Sequence, residues 1–250
     1  MSCVTVIEIP MTDGTAEAYL TGVADHPQPG VLLFMDAIGL RPRIEEMADR
    51  IAAWGYTVLA PNAFYRNGKA ADLSPDGPLD TDAKREEFFG GAMQRVHGLT
   101  AELAERDIPQ YVDALLAQPN VTAPIGVVGY CMGARLAIRA TYLRTEQVAA
   151  AAGFHGGGLA TEEPDSPHAR LAEATAEFVF GHADGDRSMD ATAIERLDAA
   201  LRDAGLEASN EVYAGAAHGY TMSDTAVYDE AATERSFAEL RALFDRTLKR

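Results

Sequence analysis

A cysteine flanked by glycines, Gly129-Tyr130-Cys131-Met132-Gly133, follows an apolar run at residues 125–128 and precedes a helix-like segment at 134–138. A strand that passes into a helix through G-x-C-x-G must bend sharply, and glycine tolerates the bend because it has no Cβ. The bend sets the central side chain at the top of a sheet and at a helix N-terminus, where a thiolate is favoured. An isolated cysteine is more often a small buried hydrophobe. Its flanks point instead to a nucleophile. A nucleophile needs a base and a group that orients the base. Gly181-His182-Ala183-Asp184 and Gly215-Ala216-Ala217-His218-Gly219 supply them in the order nucleophile, acid, histidine. His218 is expected to deprotonate Cys131. Asp184 is expected to fix the imidazole tautomer, with Asp186 competing for that role.

Positioning three such loops requires strands that end together. Strands are expected at 4–9 and 16–20, joined by a turn at Asp13-Gly14, and then at 31–35, 56–60, 125–128, 148–154, 177–180 and 206–213. Between them the 3.6-residue apolar period predicts helices at 43–54, 100–118, 191–204 and 227–248, the second broken near Pro109. The stretch from 61 to 98 is polar and turn-rich, with a short amphipathic piece at 84–89, and is expected to be a lid or binding excursion. The alternation implies an α/β fold in which one domain, residues 1–250, forms a mainly parallel, doubly wound sheet flanked by helices. Its sites should lie at the carboxyl ends of the strands.

Composition bounds the partners. With 38 acidic against 21 basic residues the formal charge is −17, which disfavours nucleic acid and anionic membranes. No apolar run reaches membrane-spanning length. The N-terminus lacks a basic region followed by a long apolar core, so a cytoplasmic protein is expected. Cys3 and Cys131 are the two cysteines; they cannot form a zinc cluster, and a disulfide between them is not expected in a reducing compartment. His182 beside Asp184 and Asp186 completes no recognised metal spacing. No metal and no cofactor are expected. A monomer or weak homodimer is expected.

These motifs, with Met35-Asp36-Ala37-Ile38-Gly39 and residues 55–61, make the chain resemble the dienelactone hydrolase family of α/β-hydrolases, in which cysteine commonly replaces serine. The resemblance covers nearly the whole chain and is weakest at 61–98. It implies hydrolysis of small ester or lactone substrates through a thioester on Cys131. It also implies an oxyanion hole from the N–H of Met132 and that of Ala37 or Ile38. Members that open dienelactone carry glutamate at the place of Asp36, close enough to govern thiol ionisation, so Asp36 is a candidate modulator. They also place an arginine shortly after the histidine to grip the substrate carboxylate, where this chain has Gly219-Tyr220-Thr221-Met222. Arg41, Arg66 and Arg85 are candidate replacements, and His155, at a strand end, is a candidate pocket residue. The alternative is a non-hydrolytic, small-molecule-binding or redox-responsive protein that keeps the fold and a reactive cysteine.

Overall fold

The computed structural model describes residues 5–249. Eight strands form one sheet: β1 (Thr5–Met11), β2 (Gly14–Thr21), β3 (Gln28–Phe34), β4 (Thr57–Pro61), β5 (Val121–Tyr130), β6 (Val148–Phe154), β7 (Glu177–Ala183) and β8 (Ala208–Tyr213). Their spatial order is β1-β2-β4-β3-β5-β6-β7-β8. β1 and β2 form an antiparallel hairpin and β2 also runs antiparallel to β4, while every pair from β4 to β8 is parallel. The expected sheet is therefore present. Val4, at the start of the first expected strand, and Cys3 lie outside the described residues.

Among the described residues, seven α-helices accompany the sheet: α1 (Pro42–Ala52), α2 (Ala70–Leu73), α3 (Asp82–Gly98), α4 (Ala101–Leu116), α5 (Gly133–Leu143), α6 (Ala191–Asp203) and α7 (Glu230–Leu248). α1 illustrates why they form. Pro42 suits the first turn, where its missing N–H costs nothing, and Ile44, Met47, Ala48 and Ile51 make one buried stripe. Gly55 follows at φ +91°, a conformation glycine adopts freely. The central strands β3 and β5 are nearly continuous apolar runs because helices cover both of their faces.

Three elements differ from expectation, and each has a physical cause. α4 runs through Pro109 without ending, because a proline removes a ladder donor while packing of Ile108, Tyr111, Val112 and Leu115 holds the helix. α3 is far longer than the expected piece at 84–89, passing over Gly90-Gly91 to Gly98. Thr81 starts it, its hydroxyl accepting the Lys84 N–H. β7 continues past Phe180 through His182-Ala183, pairing with Val212 and Tyr213 of β8. That last extension moves the loop that follows it.

Candidate active site

Cys131 stands at the carboxyl end of β5, immediately before α5, with φ at +54°. Such a φ is strained for a side chain bearing Cβ and persists only where packing enforces it. The flanking glycines make the bend possible. A Cβ on Gly129 would lie 2.1 Å from the Gly133 carbonyl oxygen, and one on Gly133 would lie 2.5 Å from those of Phe34 and Met35. Cys131 N–H donates to the Phe154 carbonyl at 3.1 Å, tying the bend to β6.

His218 lies in the loop after β8, with its Nε2 3.1 Å from Cys131 Sγ. Its Nδ1 meets Asp186 Oδ2 at 2.5 Å. The expected partner, Asp184, does something else. Because β7 extends to Ala183, Asp184 sits at the strand end, where its N–H donates to the Ala216 carbonyl and its Oδ2 accepts the Gly215 N–H at 2.8 Å. Gly185, at φ +63°, then turns the chain. The turn brings Asp186 to the imidazole. Ser188 secures it, its N–H and hydroxyl donating to Asp186 Oδ1 at 2.8 and 2.7 Å.

Burial alone would lower the His218 pKa and raise that of Asp186. The close charges reverse both shifts. Facing Cys131 and Asp186, His218 is pushed up to about 10; the His218 bond and charge, with the two Ser188 bonds, hold Asp186 down to about 2. The array favours an imidazolium between two groups that can carry negative charge.

Met132 and Ala37 line the same cavity as Cys131. Among the described residues, neither N–H donates a hydrogen bond. The Ile38 N–H donates to Asp36 Oδ1, which leaves Ala37, not Ile38, with a donor to offer.

The remaining candidates divide. Asp36 is buried, and all its side-chain hydrogen bonds go to Ile38, Gly39 and Arg41; none goes to the thiol. Arg41 is not a substrate cation: it is 4% exposed and held between Asp36 and Asp224. Arg66 is not one either, being engaged by Asp13 and Asp107 and stacked on Tyr65. Besides nearby Asp36, carboxylates far along the chain, Asp224 for Arg41 and Asp107 for Arg66, engage these charges. Arg85 does reach the cavity, with only a loose 4.0 Å approach to exposed Asp82. His155 is wholly buried and lies outside the cavity lining. It packs behind the base, its ring 5.5 Å from that of His218 and its Nε2 2.7 Å from Thr221 Oγ1. Burial, with the His218 charge, pushes its pKa well below the usual value. His182 is likewise buried and bonds Asn210. No cluster of three or more metal-ligating side chains occurs among the described residues.

The cavity over Cys131 measures about 560 Å³, a size typical of small-molecule sites. One wall comes from α3 within the 61–98 excursion: Arg85, Phe89, Met93, Val96 and His97. The lining also includes Arg135 and Arg187, which sequence reasoning missed. Neither guanidinium has a hydrogen bond or ion pair among the described residues. Burial lowers the pKa of Arg135, an effect Cys131 opposes. Its signal was available: it lies four residues after Cys131, one turn along the helix that the bend starts.

A glycine-flanked cysteine at a strand-to-helix bend and a histidine–carboxylate pair, all at the carboxyl edge of this sheet, match the α/β-hydrolase arrangement. The chain matches the model of the Dienelactone hydrolase family over residues 16–248 and belongs to that family. It is a hydrolase of the carboxylic-ester class. A Synechocystis sp. protein provisionally named a carboxymethylenebutenolidase is 26% identical over 254 residues, spanning 98% of this chain and 97% of that one. The carboxymethylenebutenolidase of Rhodococcus opacus is 26% identical over 191 residues, spanning 76% and 69%. In fold, the chain is similar to a Klebsiella pneumoniae protein provisionally named a dienelactone hydrolase, with a TM-score of 0.82, 20% identity and coverage of 98% and 99%. None of the described helices is long and apolar enough to cross a membrane.

Proposed function

We propose that this chain hydrolyses small carboxylic esters or lactones through Cys131, His218 and Asp186. The observation that carries the reading is the position of His218, within hydrogen-bond reach of both the thiol and a buried carboxylate. Cys131 thiolate attacks the carbonyl carbon, and the carbonyl π pair moves to oxygen. The N–H groups of Ala37 and Met132 stabilise that oxyanion. Collapse breaks the C–O bond, and imidazolium His218 gives its proton to the departing alkoxide. Water then attacks the thioester as neutral His218 takes its proton, and the thiol is released with a carboxylic acid. Asp186 holds the imidazole with Nδ1 protonated throughout.

Free backbone donors favour this reading over a redox-responsive thiol, which forms no oxyanion and has no use for them. The mixed lining of Phe89, Met93 and Val96 with Arg85, Arg135 and Arg187 favours an acyl or alcohol part that is apolar and carries an acidic group. Arg135 takes the task that an arginine after the histidine would have performed.

Hydrolysis of p-nitrophenyl acetate by the wild type and by Cys131→Ala tests the assignment, with intact-protein mass after rapid quenching to detect an acyl group. Turnover should require Cys131, and the acyl group should be absent from the variant. Equal turnover by both proteins would remove the thiol from the reaction.

A further inference from the structure

The loop after β3 is a turn organised by one carboxylate. Asp36 Oδ1 accepts the N–H groups of Ile38 at 3.1 Å and Gly39 at 3.3 Å, bending the chain back on itself. Gly39, at φ +114° with open space about its missing Cβ, allows the bend by conformation. Of the three N–H groups after Asp36, only that of Ala37 is left without an acceptor.

Arg41 locks this turn from behind. It donates to Asp36 Oδ1 and Oδ2 at 2.6 and 3.2 Å and to the Gly39 carbonyl at 3.1 Å. The other side of the same guanidinium donates to Asp224 at 2.5 and 3.1 Å, and it touches Met222 sulfur at 3.3 Å. Arg43 adds two bonds to the Thr221 carbonyl. The turn is thus fastened to the segment that leaves His218. Its front rests on the elbow, since the carbonyls of Phe34 and Met35 crowd Gly133. Nothing in this set directs the Asp36 carboxylate to Cys131.

We propose that Asp36 is a positioning residue for the oxyanion hole, acting through the Asp36–Arg41–Asp224 lock on the Ala37 N–H rather than on thiol ionisation. The proposal rests on the hydrolytic reading above, because the Ala37 donor matters only if an oxyanion forms. It assigns a role to the shorter aspartate. One methylene less than glutamate lets the carboxylate close on its own backbone two and three residues ahead, a turn that aspartate favours.

The experiment separates thiol ionisation from oxyanion stabilisation. Alkylation of Cys131 by iodoacetamide displaces iodide at a saturated carbon and forms no oxyanion, so its pH profile reads the thiolate alone. Steady-state hydrolysis of p-nitrophenyl acetate reads both. For Asp36→Ala, kcat should fall about 100-fold, the scale of one oxyanion donor. KM should change by less than about threefold, because ground-state binding is untouched. The alkylation profile should stay within about twofold of wild type. Asp36→Asn keeps an oxygen for Ile38 and Gly39 but sets an amide donor against Arg41; its kcat should fall about tenfold, again with the alkylation profile unmoved. Thermal melts of both variants identify global unfolding, and the milder Asn variant serves if the Ala variant does not fold. An alkylation profile that shifts in step with kcat would overturn the proposal, as would a wild-type kcat in Asp36→Ala. A wild type that hydrolyses no ester would remove the hydrolytic reading and, with it, any task for the turn.

Discussion

Asp186 Oδ2 lies 2.5 Å from His218 Nδ1, two residues beyond the carboxylate that ends on the Gly215 N–H. Asp186→Asn should therefore lower kcat by about 10³- to 10⁴-fold, since an amide there admits the wrong imidazole tautomer. Asp184→Asn should stay within about fivefold, because the amide oxygen can still accept the Gly215 N–H. Steady-state kinetics on an activated ester, with melting temperatures for both proteins, decides between them. A larger loss at Asp184 would return the acid role to that residue.

The reactivity of the thiol follows from the histidine. With His218 held up to about 10, the imidazolium persists across neutral pH, its Nε2 3.1 Å from Cys131 Sγ. Alkylation of Cys131 by iodoacetamide at neutral pH should be about tenfold slower in His218→Ala, which lacks that cation. Equal rates for the two proteins would show that His218 does not govern the thiol.

Acid stability should report Asp186 separately. Its folded pKa, about 2, lies below the ordinary 3.8. The stabilisation is therefore present above 3.8 and is lost as pH falls through 2. The gap in urea midpoint between wild type and Asp186→Asn should hold steady from pH 7 to pH 4 and narrow below that. A gap that widens toward acid would contradict the assigned shift.

The part of the site that reads substrate is tested through Arg135. Arg135→Met keeps the aliphatic stem and removes the charge. It should raise KM about tenfold for an ester with a free carboxylate, such as a succinate half-ester. A neutral ester of similar size should change by less than about threefold. An equal effect on both would make Arg135 a packing residue.

Much of this is legible in the sequence. The elbow announced itself because its geometry needs glycine at both flanks, and Cys131 and His218 meet as their strand-end positions required. Asp184 stands ahead of Asp186 in the sequence reading because the local pattern does not reveal where β7 stops, three residues later than expected. Arg41 and Arg66 read as free cations because the carboxylates that consume them, Asp224 and Asp107, lie far along the chain. Local periodicity carries no information about such pairs. α3 was underestimated because Gly90-Gly91 interrupts its apolar stripe, whereas the folded helix needs only part of one face against its neighbours.

That helix divides the labour of the molecule. Arg85, Phe89, Met93, Val96 and His97 on α3 shape the cavity, while Cys131, Asp186 and His218 hang from the carboxyl edge of the sheet. Five side chains of this 17-residue helix line the cavity, and its Arg95 donates to the Ile38 carbonyl in the loop after β3. Exchange of the cavity-facing side chains of α3 alone should redirect the chain to new esters and leave the reactivity of its thiol as it is, so the molecule carries its own cassette for changing diet.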